Sequence, residues 1–111
     1  MDTGKLKVVV SEKYHDDLKN ILQYGIETFG NDSAIMFYEN MERLIDNLGL
    51  DYYMYPECRF LTTKSKMYRN IILKSYLIFY RITPNRIEVL RVLHSSACTT
   101  SRIHLVRKIK I

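Results

Sequence analysis

The segment "YRNIILKSYLIFYRITPNRIEVLRVLH" (residues 68–94) decides the fold. Three runs within it, 68–73, 76–82 and 86–93, are rich in β-branched and aromatic residues and are bounded by turn signals, so each reads as a strand. Lys74-Ser75 is a tight connection between the first two, although its residues are not the Asn-Gly type that two-residue hairpins prefer. Thr83-Pro84-Asn85 supplies the next turn: Pro84 fixes φ and Asn85 tolerates a left-handed backbone. Short connections of this kind join antiparallel neighbours.

The two-residue period sorts the side chains into faces. One face is expected to collect Arg69, Ile71, Leu73, Tyr76, Ile78, Tyr80, Val89, Arg91 and Leu93. The other collects Tyr68, Ile72, Leu77, Phe79, Arg81, Glu88, Leu90, Val92 and His94. A one-residue slip in either turn would reassign both sets. The middle strand is apolar on both sides, so one face can take helices while the other is expected to stay open for a ligand or partner. Arg81 opposite Glu88 reads as a cross-strand ion pair ahead of a ligand contact. Arg69 and Arg91 read as surface arginines with packed stems. His94 at a strand end reads as structural ahead of catalytic.

Upstream of this segment the period changes. "LKVVV" (6–10) is a short β-branched strand, and Ser11 after it can cap a helix with its hydroxyl. Tyr14, Leu18, Ile21, Leu22, Gly25, Ile26 and Phe29 recur at helical spacing over 12–29, with Glu12, Asp16 and Asp17 near the start, where the helix dipole favours acids. Gly30 is a natural stop. A second stripe, Ala34, Phe37, Tyr38, Met41, Leu44, Ile45 and Leu48, predicts a helix over 33–48 capped by Asn31, Asp32 or Ser33. The short link makes the two an antiparallel hairpin. "GLDYYMYPECR" (49–59) is an irregular connection, and "RFLTTKS" (59–65) a further candidate strand. The basic, alternately apolar "SRIHLVRKIKI" (101–111) fits a short helix, an added strand or a tail ordered by a partner. The expected fold is α+β, in the order β-α-α-β-β-β(-β): a small antiparallel sheet with a helical hairpin on one face.

At 111 residues the chain is one domain, 1–111, with a core over 6–95 and a basic tail over 96–111. Its 47% hydrophobic and 26% charged residues suit a globular protein. A net charge of +5 permits a nucleic acid, ribosomal or acidic protein partner without requiring one. Cys58 and Cys98 are far apart, without zinc-site spacing, and read as free thiols of a reducing cytoplasm. The N-terminal residues fit neither a signal peptide nor a membrane span. Phosphate-loop, dinucleotide, zinc-protease and nucleophile-elbow motifs are absent, and neither a metal nor a cofactor is expected. The helix carboxylates lie mostly off the apolar stripes and read as a solvated face.

Three segments together resemble the RelE/ParE toxins of bacterial toxin–antitoxin modules. "VVVSEKYHDDLKNILQYGIETFG" is similar to the family's first strand, serine cap and first helix. "SAIMFYENMERLIDNL" is similar to its second helix. The 68–94 segment resembles its last three strands, with YR near the start, FYR in the middle and RVLH at the end. The resemblance covers about residues 6–95 in order. It implies a small toxin neutralised by a cognate antitoxin in a hetero-oligomer, with either DNA gyrase or the ribosome and its mRNA as target. The helices and the RVLH ending look closer to the ParE-like branch, which acts by protein contact. The stretch "SSACTTSR" after RVLH, uncharged up to Arg102, departs from the arginines and aspartate common there. The RelE-like alternative is a ribosome-dependent ribonuclease, for which His94 would move the proton and Lys64, Arg69 and Arg81 would hold the phosphate. A third alternative is an inactive member that only binds its antitoxin. Under the favoured ParE-like reading, Arg69, Tyr80, Arg91 and His94 are expected to form the binding surface.

Overall fold

Ser11 ends the first strand and begins the first helix. Its side-chain oxygen accepts the Tyr14 N–H (2.9 Å), and its hydroxyl donates to the Leu90 carbonyl on the far side of the sequence (2.6 Å). Around this joint the computed structural model describes residues 4–111; the reading of 1–111 as one domain includes residues 1–3, which lie outside the described residues. The elements are β1 (Lys7–Val10), α1 (Glu12–Phe29), α2 (Asn31–Asp51), β2 (Tyr68–Leu73), β3 (Tyr76–Ile82), β4 (Arg86–His94) and α3 (Thr100–Leu105), with 3-10 turns at Ser95–Ala97 and Val106–Lys108.

The expected α+β architecture is present, with strand order β1-β4-β3-β2. The meander β2–β3–β4 is antiparallel, but β1 runs parallel to β4, Lys7 opposite Arg86 through Val10 opposite Val89. The sheet is therefore mixed. Parallel neighbours need a long crossover, and the whole chain between β1 and β4 provides it. The second helix is longer than its stripe suggests, because it starts directly after Gly30 (φ 92°) and continues through Gly49. Gly49 is buried against β1: a Cβ there would collide with the Leu6 carbonyl oxygen, and its own carbonyl accepts the Leu6 N–H (2.9 Å). What reads as a loop glycine is a close-approach point between α2 and the first strand.

The candidate strand 59–65 does not form. Only Glu57 bridges to Arg69 on the β2 edge. The Glu57 carboxylate accepts the Thr63 N–H (3.3 Å) and the Thr63 hydroxyl oxygen accepts the Met67 N–H (3.2 Å), so local bonds replace a ladder. Leu61 is fully buried as a plug.

The face assignment holds for β2, β3 and the start of β4, and then slips. Tyr80 is opposite Val89 but Phe79 is opposite Arg91, so Leu90 is the extra residue of a β-bulge. Beyond it Val92 joins the helix-side core, while Leu93 joins the opposite side. On the helix side Tyr14, Leu18, Met41 and Leu48 pack on Ile71, Ile78, Tyr80, Ile87 and Val89. Ile21, Leu22, Phe37, Leu44 and Ile45 are half-buried against them. The second face is not left open. Cys58 and Leu61 of the 52–67 connection, and Ile103 and Val106 of the C-terminal segment, cover Tyr68, Phe79, Leu90 and Leu93. The basic tail thus folds as α3 and a 3-10 turn on the chain's own sheet.

Candidate functional site

The cations of the sheet are tied into the protein. Glu88, 6% exposed, holds two of them: Arg81 donates from Nε (2.7 Å) and Arg86 from Nε (2.9 Å) to its two oxygens. Arg81 also donates to the Tyr68 hydroxyl (3.3 Å) and, through Nη2, to the Ile109 carbonyl (3.0 Å). Burial opposes the charge on Glu88, but hydrogen bonds and charge from Arg81 and Arg86 outweigh it and hold the carboxyl below its ordinary value. The expected cross-strand pair is therefore present, enlarged to two arginines around one carboxylate.

Arg91 forms a fork onto Asp17 of α1, Nε to Oδ2 at 2.8 Å and Nη2 to Oδ1 at 2.7 Å. Asp17 Oδ2 also accepts the Val92 N–H (3.0 Å). β1 stops opposite Val89, so the backbone edge of β4 beyond it is satisfied by side chains of the first helix: Ser11 on the Leu90 carbonyl and Asp17 on the Val92 amide. The sequence puts Asp17 among the helix carboxylates of a solvated face, since nothing in its local sequence marks it as the partner of a strand so far away.

Arg69 donates to the Lys66 and Tyr55 carbonyls (2.9 and 2.8 Å) and lies over the Tyr53 ring at 5.5 Å. Lys64 is exposed in the connection before β2. Tyr80, expected at a binding surface, is instead fully buried, with its hydroxyl donating to the Tyr52 carbonyl (2.7 Å). His94 caps the turn that follows β4: Nδ1 accepts the Ser96 N–H (3.1 Å) and lies 2.7 Å from the Ser96 hydroxyl, and the ring stands edge-on to Tyr76 at 5.3 Å. The register puts His94 opposite Tyr76 at one end of β3, and Arg69 opposite Tyr80 and Arg81 opposite Glu88 towards the other. The nuclease candidates His94, Arg69, Arg81 and Lys64 are not gathered around one point.

Arg91 and His94 do share one feature. They line an open cleft of about 910 Å³ between the helical hairpin and the β2–β3 turn. Its walls are largely apolar, formed by Ile21, Leu22, Tyr24, Phe29, Phe37 and Tyr76; Lys74, Arg102 and His94 stand around it, together with Asp17, which Arg91 holds, and the neutral polar Asn20 and Ser33. Phe29 is 68% and Tyr24 57% exposed, and Ile26, Ile35, Met36 and Tyr38 extend this exposed apolar surface along the hairpin. The sequence places Ile26, Phe29 and Tyr38 on the core stripes, but all three are exposed. An apolar slot with cations at its margin suits an amphipathic segment that carries acidic residues. Among the described residues no group of three or more His, Cys, Asp or Glu side chains is placed to hold a metal ion, and no helix is long and apolar enough to cross a membrane.

Known proteins give the same layout. Residues 8–97 match the family described as "ParE toxin of type II toxin-antitoxin system, parDE". Among solved structures, a chain of the chromosomal ParDE toxin–antitoxin system of P. aeruginosa superposes with a TM-score of 0.67 at 15% identity, over 83% of this chain and 98% of that one. No curated protein matches. The strand–hairpin–meander order and the sequence match over residues 8–97 lead to one family: the chain belongs to the ParE toxins of type II toxin–antitoxin systems.

Proposed function

We propose that the chain is a growth-inhibiting, plasmid-stabilising toxin of the cytoplasm that acts on DNA gyrase by protein contact and is neutralised by a cognate antitoxin in a hetero-oligomer. One observation carries the choice of contact over cleavage. The sheet arginines are spent on internal partners, Arg81 and Arg86 on Glu88 and Arg91 on Asp17, and His94 Nδ1 is engaged by Ser96. Cleavage at a 2′-hydroxyl needs a base, free cations and an acid within reach of one phosphate. The dispersed positions of His94, Arg69, Arg81 and Lys64 do not supply that constellation. The apolar cleft beside the hairpin is the dock for the antitoxin segment, which orders as it binds. The RelE-like alternative enters as an outcome of the test.

The test is controlled expression without antitoxin, with plasmid supercoiling and the 5′ ends of cellular mRNA followed together. Loss of supercoiling with intact mRNA is expected. Toxin-dependent mRNA cuts that vanish in a folded His94→Ala variant would move the protein to the ribonuclease branch. Retained antitoxin binding with no growth effect would make it an inactive member.

A further inference from the structure

Charge is divided unevenly along the chain. Eleven of the 12 Asp and Glu lie in residues 1–57, and twelve of the 17 Lys and Arg lie in residues 58–111. The one acidic residue of the second half is Glu88, buried between Arg81 and Arg86. The fold puts the two halves on opposite sides of the sheet. The helical hairpin covers one face, with Asp16, Glu27, Glu39, Glu42 and Asp46 exposed among Lys19 and Arg43. The 52–67 connection and the C-terminal segment cover the other.

Both covering segments turn apolar residues inward and cations outward. Cys58 and Leu61 of the connection are buried, while Arg59, Lys64 and Lys66 are exposed. Ile103 and Val106 of the tail are buried and Ile109 packs beside them, while Arg107, Lys108 and Lys110 are exposed. Arg107 joins the two segments by donating to the Thr62 carbonyl (3.5 Å). The connection bridges to β2 through Glu57 and Arg69, and Lys108 and Lys110 stand beside Val10 and Ser11 at the end of β1, so the cations reach from one outer strand to the other. The ion pairs among the described residues use Arg81, Arg86 and Arg91, so these six cations hold no carboxylate. Carboxylates border the face at Glu57, which holds the Thr63 N–H, and at Glu12, which lines a cleft with Lys108 and Lys110. Protein surfaces normally intersperse the two signs, as the hairpin does; one sign over a whole face builds a field that attracts a polyanion.

We infer that the outer surface of the connection and tail is a docking face for duplex DNA, held through its phosphates. Six cations dispersed over two segments match a row of regularly spaced charges, not a single phosphate group. The rings of this face already carry the chain's own cations. Arg59 lies over Phe60 (5.5 Å), Arg69 over Tyr53 (5.5 Å), and Arg81 and Arg107 over Tyr68 (5.7 and 5.9 Å). Single strands are held by bases stacked on open rings, whereas a duplex keeps its bases inside and offers phosphates. Gyrase works on duplex DNA, so the choice of DNA over duplex RNA rests on the proposed target; binding is read without gyrase, so the two fail separately.

The full chain, free of antitoxin and gyrase, is titrated into a fluorescein-labelled DNA duplex of about 20 base pairs, with anisotropy read over a series of salt concentrations. Micromolar binding is expected at about 0.1 M salt, with a log–log salt slope of roughly −5 for six phosphate contacts. Arg59→Glu with Lys108→Glu removes one cation from each segment. It should weaken binding by at least about tenfold and flatten the slope by about two. Lys19→Glu with Arg43→Glu changes the net charge equally on the hairpin side and should leave the slope unchanged. Equal losses from both pairs would show that only net charge is read and would overturn the face. So would no binding at about 0.05 M salt, a flat salt dependence, tighter binding of a single strand or of duplex RNA of the same sequence, or displacement by polyglutamate as effective as by unlabelled DNA. All four positions are exposed, so thermal midpoints near the parent's are expected. Arg59→Gln with Lys108→Gln reads the same flattening if charge reversal disturbs folding.

Discussion

Glu88 is the residue with the most to lose. It is a nearly buried carboxylate satisfied by Arg81 and Arg86, and removing one partner leaves charge stranded in an apolar setting. Arg81→Ala and Glu88→Ala should therefore be non-additive, with a coupling of about 1–3 kcal/mol in a double-mutant cycle read by urea unfolding. A phosphate-binding Arg81 would instead lose function without coupling to Glu88. The pH dependence follows from the same group. Its carboxyl is held below the ordinary value in the folded state, so the unfolded state binds the proton more readily. Stability from this site is complete above the ordinary carboxylate range and is lost as pH falls through the lower, folded value. Glu88→Gln should flatten that acid limb in thermal melts taken across the carboxylate range. Tyr14 presents the reverse case. It is 2% exposed and its hydroxyl has no hydrogen-bond partner. Tyr14→Phe removes an unsatisfied polar atom at nearly constant volume, and should leave stability unchanged or raise it by about 1 kcal/mol. A clear loss would show that the hydroxyl has a partner.

Among the elements, β4 carries the widest set of obligations. It pairs with β3 and β1, bulges at Leu90, and beyond Val89 borrows its outer hydrogen bonds from Ser11 and Asp17. Ser11→Ala removes both a helix cap and the donor to the Leu90 carbonyl, so a loss of about 1–3 kcal/mol is expected in denaturant unfolding. The helices and the meander were legible in the sequence because periodicity is a local signal: the range 12–29 and the strands 68–73 and 76–82 are found where their residues put them. The parallel partner of β4, the bulge and the packing role of Gly49 were not legible. Each depends on what another part of the chain places opposite, and a residue's own neighbours do not encode that. The same holds for the site. The Arg81–Glu88 pair could be read from two strands and a short turn. The Arg91–Asp17 fork joins elements from opposite parts of the chain and had no such signal. Tyr80 sits on the helix face, as its period required, but that face proved to be core.

At the scale of the whole molecule, one broad face of the sheet is packed under the hairpin and the other under the chain's own tail, which leaves the cleft beside the hairpin as the surface proposed for the antitoxin. Phe29 is 68% exposed there, so Phe29→Asp should leave the thermal midpoint within error of the parent. It should weaken antitoxin binding by at least about tenfold, or about 1.4 kcal/mol, by titration calorimetry. Binding unchanged by this substitution would place the dock elsewhere. The cations around the cleft and the net charge of +5 act at longer range. Rising salt should slow association more than it speeds dissociation, because such charges steer the encounter. An on-rate flat across salt concentration would reject that contribution.

The parallel pairing of β1 with β4 also sets an order of events in synthesis. Residues 7–10 are made before the hairpin, yet their sheet partners, 86–89, are made only after the hairpin, β2 and β3. Until then β1 has no strand to join, the Leu90 carbonyl that Ser11 meets does not yet exist, and the helix pair has no completed sheet beneath it. Closing so long a loop is a non-local, entropically costly step. A nascent chain of this topology therefore cannot complete its sheet until β4 has been made, and a chain cut short before β4 is left without that sheet. The same layout gives the proposed antitoxin the time taken to make the chain through β4 in which to be present before the cleft it would meet is complete.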